Sequence, residues 1–450
     1  MALQSTSWRR SERLEMRCLL SIASETSALE TYVAAIYQDI LGRPIDPGTK
    51  ISVQNRLQNG ESALEISAEI THSDEHFADL VQSTYGALLG RGADSSALDY
   101  WIGLGASGLT DEKLEEEILA SDEFYARVGG TDEAFIGTLY STLLDRPADM
   151  TGEAYWLGQL NSGASRFQIS LAFAEGRERE RLRVEDDYLQ VFHLPGDDQG
   201  IAYWTNQLAA GMSNENVLTS LVDSNEYFES RTGQPITTVP IPSSSFSWWQ
   251  SYEDQINARA QQGNVDLLFV GDSQVTGWNL AGYGQSVFQQ FYGSSNAMAA
   301  GIPGDSTQGV LWTLLHSQLS NLHPKLTVVE VGTNNLSVGN SPADIAAGNE
   351  AIVQTLQEEF PETKILLMGI LPRGESANDP MRSEVAATNQ LVQALADGQN
   401  VYYVDLSPSL LDANGAFLPG VIQSDFAHLT PAGYEIWAQS IEPIVKANVG

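Results

Sequence analysis

The chain has 450 residues, 42% of them hydrophobic, and carries 23 Lys+Arg against 58 Asp+Glu, a formal net charge of −35. That length calls for two or more domains, and that hydrophobic content supplies real cores and excludes wholesale disorder. The acidity is shared, with 6 Lys+Arg against 20 Asp+Glu from Phe246 onward, and it excludes a basic groove for nucleic acid and electrostatic docking on anionic lipid.

Residues 1–30 form an N-terminal tail. Arg9, Arg10, Arg13 and Arg17 precede an apolar patch at 18–23 that is too short for a signal-peptide core or a membrane span. Cys18 is the single cysteine, so no intramolecular disulfide can form. No transmembrane segment is expected.

Residues 31–231 repeat. Tyr100-Trp101, Tyr155-Trp156 and Tyr203-Trp204 each follow an aspartate, Asp94, Asp149 and Asp197. Leu-x-Arg turns precede at Arg43, Arg91 and Arg146, and Ser-x-Glu segments end at Glu75, Glu123 and Glu226. Four units result, over about 32–77, 78–129, 131–184 and 185–231; the first lacks the Tyr-Trp pair and the fourth the Leu-x-Arg turn, as end units of arrays often do. Phe135, Leu139 and Leu143 recur at helical spacing, so the units are predicted to be all-α helical hairpins with the Tyr-Trp pairs filling the core between helices. A ligand-stacking role for those pairs is the sharper alternative.

A linker rich in proline and serine spans 232–248. Beyond it, in 249–450, apolar runs at 265–270, 326–331, 364–371 and 401–405 alternate with helix-length amphipathic segments. This predicts an α/β domain with a parallel sheet covered on both faces.

Ligand sites in such sheets lie at the carboxyl ends of strands. The first run ends Gly271-Asp272-Ser273, a serine just past a buried strand with its backbone N–H free for an oxyanion. The second element runs to Gly301-Ile302-Pro303-Gly304-Asp305, where the Gly304 N–H is a second candidate donor. The third run ends Gly332-Thr333-Asn334, and the Asn334 side chain can aim its NH2 at a developing negative charge. The last element, Asp425-Phe426-Ala427-His428, precedes a helix start at Thr430-Pro431. Its short spacing can fold Asp425 onto one ring nitrogen and leave the other facing the serine. Taken singly, these are a helix cap, a strand-to-helix turn, an Asx turn and a surface loop; together they fall at strand ends of one sheet. Glu330 interrupts an apolar strand and needs a partner if buried. It is expected, with Asp272, to support the site by orienting Asn334 or the histidine loop, against a plain exposed strand end. Arg373 is expected either to contact substrate or to brace a turn.

These blocks, in this order, resemble the SGNH (GDSL-type) hydrolases. Ser273, Gly304, Asn334 and His428 stand at the family's key positions, with Asp425 three residues before the histidine. Gly301 to Gln308, Val310-Leu311-Trp312, Val331 to Asn335 and Leu371-Pro372-Arg373-Gly374 are similar to the branch of the intracellular platelet-activating-factor acetylhydrolase catalytic subunits. The resemblance implies a flavodoxin-like three-layer α/β fold with a parallel five-stranded sheet. It implies a serine esterase of short, acetyl-like acyl esters, with Ser273, Asp425 and His428 as triad and Ser273, Gly304 and Asn334 as oxyanion hole. The expected partner is a small acyl ester, an acetylated carbohydrate or a lipid-like ester, and neither metal nor organic cofactor is expected.

The repeats resemble an uncharacterised helical repeat of bacterial extracellular and surface-layer-associated proteins, distantly similar to phycobilisome linker domains. That implies an extracellular or cell-surface location and a surface or protein partner for this half, although no signal peptide is visible and the cytoplasm stays open. Two alternatives remain at this point: a surface-assembly protein whose hydrolase-like domain is inert, and an acyltransferase.

Overall fold

The computed structural model describes residues 28–450 except 59, 60, 62, 106, 107 and 245. The arginine-rich segment, Cys18 and Ser245 lie outside the described residues. The chain forms two compact units, one built on Glu30–Val53 and Ala63–Arg231, the other on Thr232–Gly450. Among the described residues, no helix is long and apolar enough to cross a membrane.

In the first unit the repeated motifs mark helix starts and a recurring clamp. Asp94, Asp149 and Asp197 each accept backbone N–H groups at the head of a helix, from Ala97 (2.9 Å), Gly152 (2.9 Å) and Gly200 (2.6 Å). A short acidic side chain there satisfies donors that the first turn leaves unpaired. The arginine of each Leu-x-Arg turn forms a two-pronged ion pair with a glutamate 32 residues later: Arg43 with Glu75, Arg91 with Glu123, Arg146 with Glu178. Each guanidinium also lies over a tyrosine ring, Tyr37, Tyr85 or Tyr140, at 5.2, 5.1 and 4.9 Å. The array closes on itself: Tyr32 donates to the Val222 carbonyl (2.9 Å), and Arg231 and Tyr227 both reach Asp39 (3.0 and 2.7 Å).

The Tyr-Trp pairs depart from expectation. Trp101 is buried and donates its Nε1–H to the Tyr85 hydroxyl (2.8 Å). Tyr100, Tyr155 and Tyr203, however, are 60%, 56% and 53% exposed, each set edge-on against its neighbouring tryptophan. Consecutive residues on a helix point about 100° apart, so one face cannot take both rings.

The second unit is a five-stranded parallel sheet in the order β2-β1-β3-β4-β5, with β1 Leu267–Gly271, β2 Ala297–Gly301, β3 Leu326–Glu330, β4 Lys364–Met368 and β5 Val401–Val404. Strand side chains alternate between faces, and both faces are covered. Leu268 and Val270 of β1, Val329 of β3 and Ile365 and Leu367 of β4 pack on α1 (Trp249–Ala260), α4 (Thr307–His316), α6 (Pro342–Glu359) and α7 (Pro380–Gln393). Leu267, Phe269, Leu326, Val328, Leu366 and Met368 pack on α3 (Gln285–Tyr292) and α8 (Pro431–Asn448). Continuous burial explains the unbroken apolar runs, which is how strands enclosed on both faces read. This is a three-layer α/β arrangement, a parallel sheet between two layers of helices.

Two substitutions separate core from surface. Trp437, fully buried on α8, should cost about 3–5 kcal/mol when changed to Ala. Glu123→Gln, at an exposed clamp, should cost no more than about 1 kcal/mol. Urea denaturation at unchanged m-value measures both, and equal losses would contradict this division.

Candidate active site

The site is built where β1, β2 and β3 end. In register, Gly271 stands beside Gly301 on one side and Glu330 on the other. Position 271 has to be glycine, because a Cβ there would lie 1.9 Å from the Glu330 carbonyl oxygen. Asp272 follows as N-cap and accepts the Gln274 N–H (2.9 Å), so Ser273 opens the short helix α2 (Ser273–Thr276).

Ser273 Oγ is 3.0 Å from His428 Nε2, and His428 Nδ1 is 2.7 Å from Asp425 Oδ2. The loop that carries this arrangement is a tight turn. Phe426 takes φ +52°, a conformation non-glycine residues rarely adopt, and the Asp425 Oδ1 accepts both the Ala427 and His428 N–H groups (3.0 Å each). Burial works to raise the Asp425 carboxyl, but these two N–H groups and then the imidazole outweigh it and hold it below the ordinary carboxylate range.

The oxyanion candidates gather nearby. Gly304 adopts φ +90°, and the ring of Phe246 lies against it where a Cβ would point. Asn334 sits in α5 (Thr333–Ser337), just past β3, and gives one Nδ2 hydrogen to the Asp305 carbonyl (2.7 Å). A primary amide carries two hydrogens, so the second is left for another acceptor. Arg373 braces α5 through the Thr333 carbonyl and hydroxyl and the Ser337 hydroxyl (3.2, 3.1 and 2.7 Å), the structural alternative of the two expected for it.

Glu330 and Asp272 are both fully buried. Glu330 faces the Asp272 carboxyl rather than Asn334 or the histidine loop, and neither of its oxygens has a protein donor. The expectation that it orients those groups is therefore corrected: Glu330 neighbours Asp272, the N-cap of α2. Burial, then the neighbouring Asp272, push the Glu330 carboxyl well up. Burial alone raises Asp272, to about 6, against the Gln274 N–H, Glu330, His428 and Arg373, which lower it. Burial also lifts Asp305 to about 8 and Glu253 to about 7.

Sequence reasoning passed over four residues. Gln274 donates Nε2–H to the Ala427 carbonyl (2.7 Å) and its own carbonyl accepts the Tyr434 hydroxyl (2.7 Å), which latches the histidine loop to the serine turn. Asn335 is fully buried and bonds the Thr307 N–H and the Gln308 and Asn340 side chains (3.0, 2.8 and 3.1 Å), which ties α5 to the start of α4. Phe246 and Trp248, assigned to the linker, stack in parallel at 4.9 Å, and the Trp248 Nε1–H donates to the Pro303 carbonyl (3.1 Å). The aromatic run inside a serine-rich stretch was the available signal.

The raised carboxyls set a pH dependence. They release their protons at higher pH in the folded chain than in the unfolded one, where carboxyls ionise near pH 4, so the native state binds more protons and stability falls as pH rises from about 4 toward 8. Thermal melting should therefore give a higher midpoint at pH 5 than at pH 8, and Asp305→Asn should flatten that slope. A midpoint that rises over this range would contradict the assignment.

Residues 269–436 match the GDSL-like lipase/acylhydrolase family, and residues 115–182 and 184–230 match a domain of unknown function, DUF4214. Platelet-activating factor acetylhydrolase IB subunit alpha2 of Rattus norvegicus is 37% identical over 187 residues, 41% of this chain and 78% of that protein. Subunit alpha1 of Bos taurus is 32% identical over 187 residues, 41% of this chain and 77% of that protein. Among solved structures, a GDSL-like lipase from Bacteroides thetaiotaomicron is 18% identical with TM-score 0.35, covering 44% of this chain and 97% of its own. An acetyl xylan esterase is 21% identical with TM-score 0.35, covering 40% and 98%.

Proposed function

Because this chain belongs through its C-terminal half to the GDSL-like lipase/acylhydrolase family, we propose that it is a serine esterase of short acyl esters working through Ser273, His428 and Asp425. The observation that carries the reading is the unbroken contact from Asp425 Oδ2 through both ring nitrogens to Ser273 Oγ, 2.7 and 3.0 Å.

Neutral His428 accepts the Ser273 proton from Nε2's side as Oγ attacks the ester carbonyl. Asp425 holds Nδ1–H, fixes the tautomer and stabilises the imidazolium that forms. The tetrahedral oxyanion is met by the N–H groups of Ser273 and Gly304 and by the free Asn334 Nδ2 hydrogen. His428 then gives its proton to the departing alkoxide, which leaves an acyl-Ser273. Water attacks that acyl group with His428 again as base, and the carboxylic acid departs as Ser273 regains its proton. The helical unit contributes no residue to these steps, and we assign it attachment to a surface or protein partner.

Release of p-nitrophenol from p-nitrophenyl acetate tests the reading. Ser273→Ala should reduce the rate to background, and Asn334→Ala should lower kcat by about 10²–10³. If the wild type is no faster than Ser273→Ala, the domain is inert and the proposal fails. Partitioning to an added alcohol instead of water would show acyl transfer.

A further inference from the structure

The helical unit holds a second constellation, apart from the esterase residues. Helices Asp111–Ala120 and Asn214–Val222 begin against one another. Glu215 Oε1 accepts the Asp111 N–H (3.0 Å) and Glu112 Oε1 accepts the Asn214 N–H (3.1 Å). One oxygen each from Asp111, Glu112 and Glu215 lies within 4.8 Å of the other two.

Mutual capping does not satisfy this cluster. Asn214 is 7% exposed and gives Nδ2–H to Asp187 Oδ1 (3.2 Å), which seats its amide among the acids while its own oxygen has no protein donor. Asp187, 4% exposed, leaves Oδ2 without a donor, and Asp111 Oδ1 is equally buried and unpaired. The buried Arg183 and the half-buried Arg179 serve elsewhere first: Arg179 pairs with Glu115 (2.9 Å), and Arg183 pairs with Glu115 (2.5 Å) and only at 3.5 Å with Asp111 Oδ2. Five carboxyls thus meet two cations.

We propose that Asp111, Glu112 and Glu215 bind a calcium ion, with the orphaned oxygen of Asn214 joining its shell. All donors are oxygens, carboxylate and amide together, with no nitrogen or sulfur to favour zinc. Magnesium keeps several waters and demands strict octahedral geometry, whereas calcium accepts irregular shells of six to eight oxygens. Every ligand comes from within the helical unit, and the ion fastens the starts of two helices 103 positions apart in numbering, 111 and 214.

The test uses the full chain stripped with EGTA. Calorimetric titration with CaCl2 and elemental analysis after dialysis should give one calcium per chain. Saturating calcium should raise the first melting midpoint by about 5 °C or more, reversibly with EGTA, and equal magnesium should give a smaller shift. Asn214→Ala and Asp111→Asn should each weaken calcium binding about tenfold or more, with p-nitrophenyl acetate turnover unchanged. Absence of binding heat and of retained calcium in the wild type overturns the proposal, and that measurement decides even where a variant fails to fold. Equal binding by both variants also overturns it, because the ion then sits on the acidic surface at large.

Discussion

β1 lies between β2 and β3, and the chain leaves β1 toward one neighbour and later returns past it to the other. The connections at the carboxyl edge therefore diverge over β1 and open a crevice there. Ser273, Gly304 and Asn334 each fall within a few residues of one of these three strand ends, so the crossover fixes their neighbourhood before any side chain is considered. What it does not fix is the histidine, which arrives 155 residues after the serine. That span is closed by the Gln274 amide on the Ala427 carbonyl and by Tyr434 on the Gln274 carbonyl. The residue next to the nucleophile is thus also the one that holds the base in reach.

The acidity of this chain has two physical roles. Most of it is solvated surface. A few carboxyls are buried, and in the α/β unit they gather below the site: Asp272 and Glu330 under the serine turn, Asp305 beside Asn334. A buried carboxylate is stable only when hydrogen-bonded or partnered by a proton or cation. Asp272 receives a backbone N–H and faces Glu330, whose carboxyl burial pushes well up. In the helical unit a comparable set of acids meets arginines and, in our proposal, calcium.

Strand ends were legible because a run of Val, Leu and Ile followed by glycine marks where a covered strand turns, and Ser273, Gly304 and Asn334 stand at such stops. The Asp-x-x-His spacing likewise announced a loop able to fold the carboxylate onto the ring. Partners set by sheet register were not legible: Glu330 meets Asp272 only because β3 pairs Glu330 with Gly271. Nor were Gln274 and Asn335, ordinary amides whose roles come from distant segments. In the repeats, the Arg–Glu clamp was half hidden because its third glutamate, Glu178, follows Gly176-Arg177 rather than a serine. The exposure of Tyr100, Tyr155 and Tyr203 was not legible in the paired motif, because adjacent positions on a helix face different directions.

The central claim is that Ser273 is a nucleophile made reactive by His428. Treating the protein with a fluorophosphonate and mapping the adduct by peptide mass spectrometry addresses that directly. A single phosphonyl group on the peptide containing Ser273, slowed strongly in folded His428→Ala, is the expected result. Labelling at another residue, or labelling of Ser273 at an unchanged rate without the imidazole, would contradict the account.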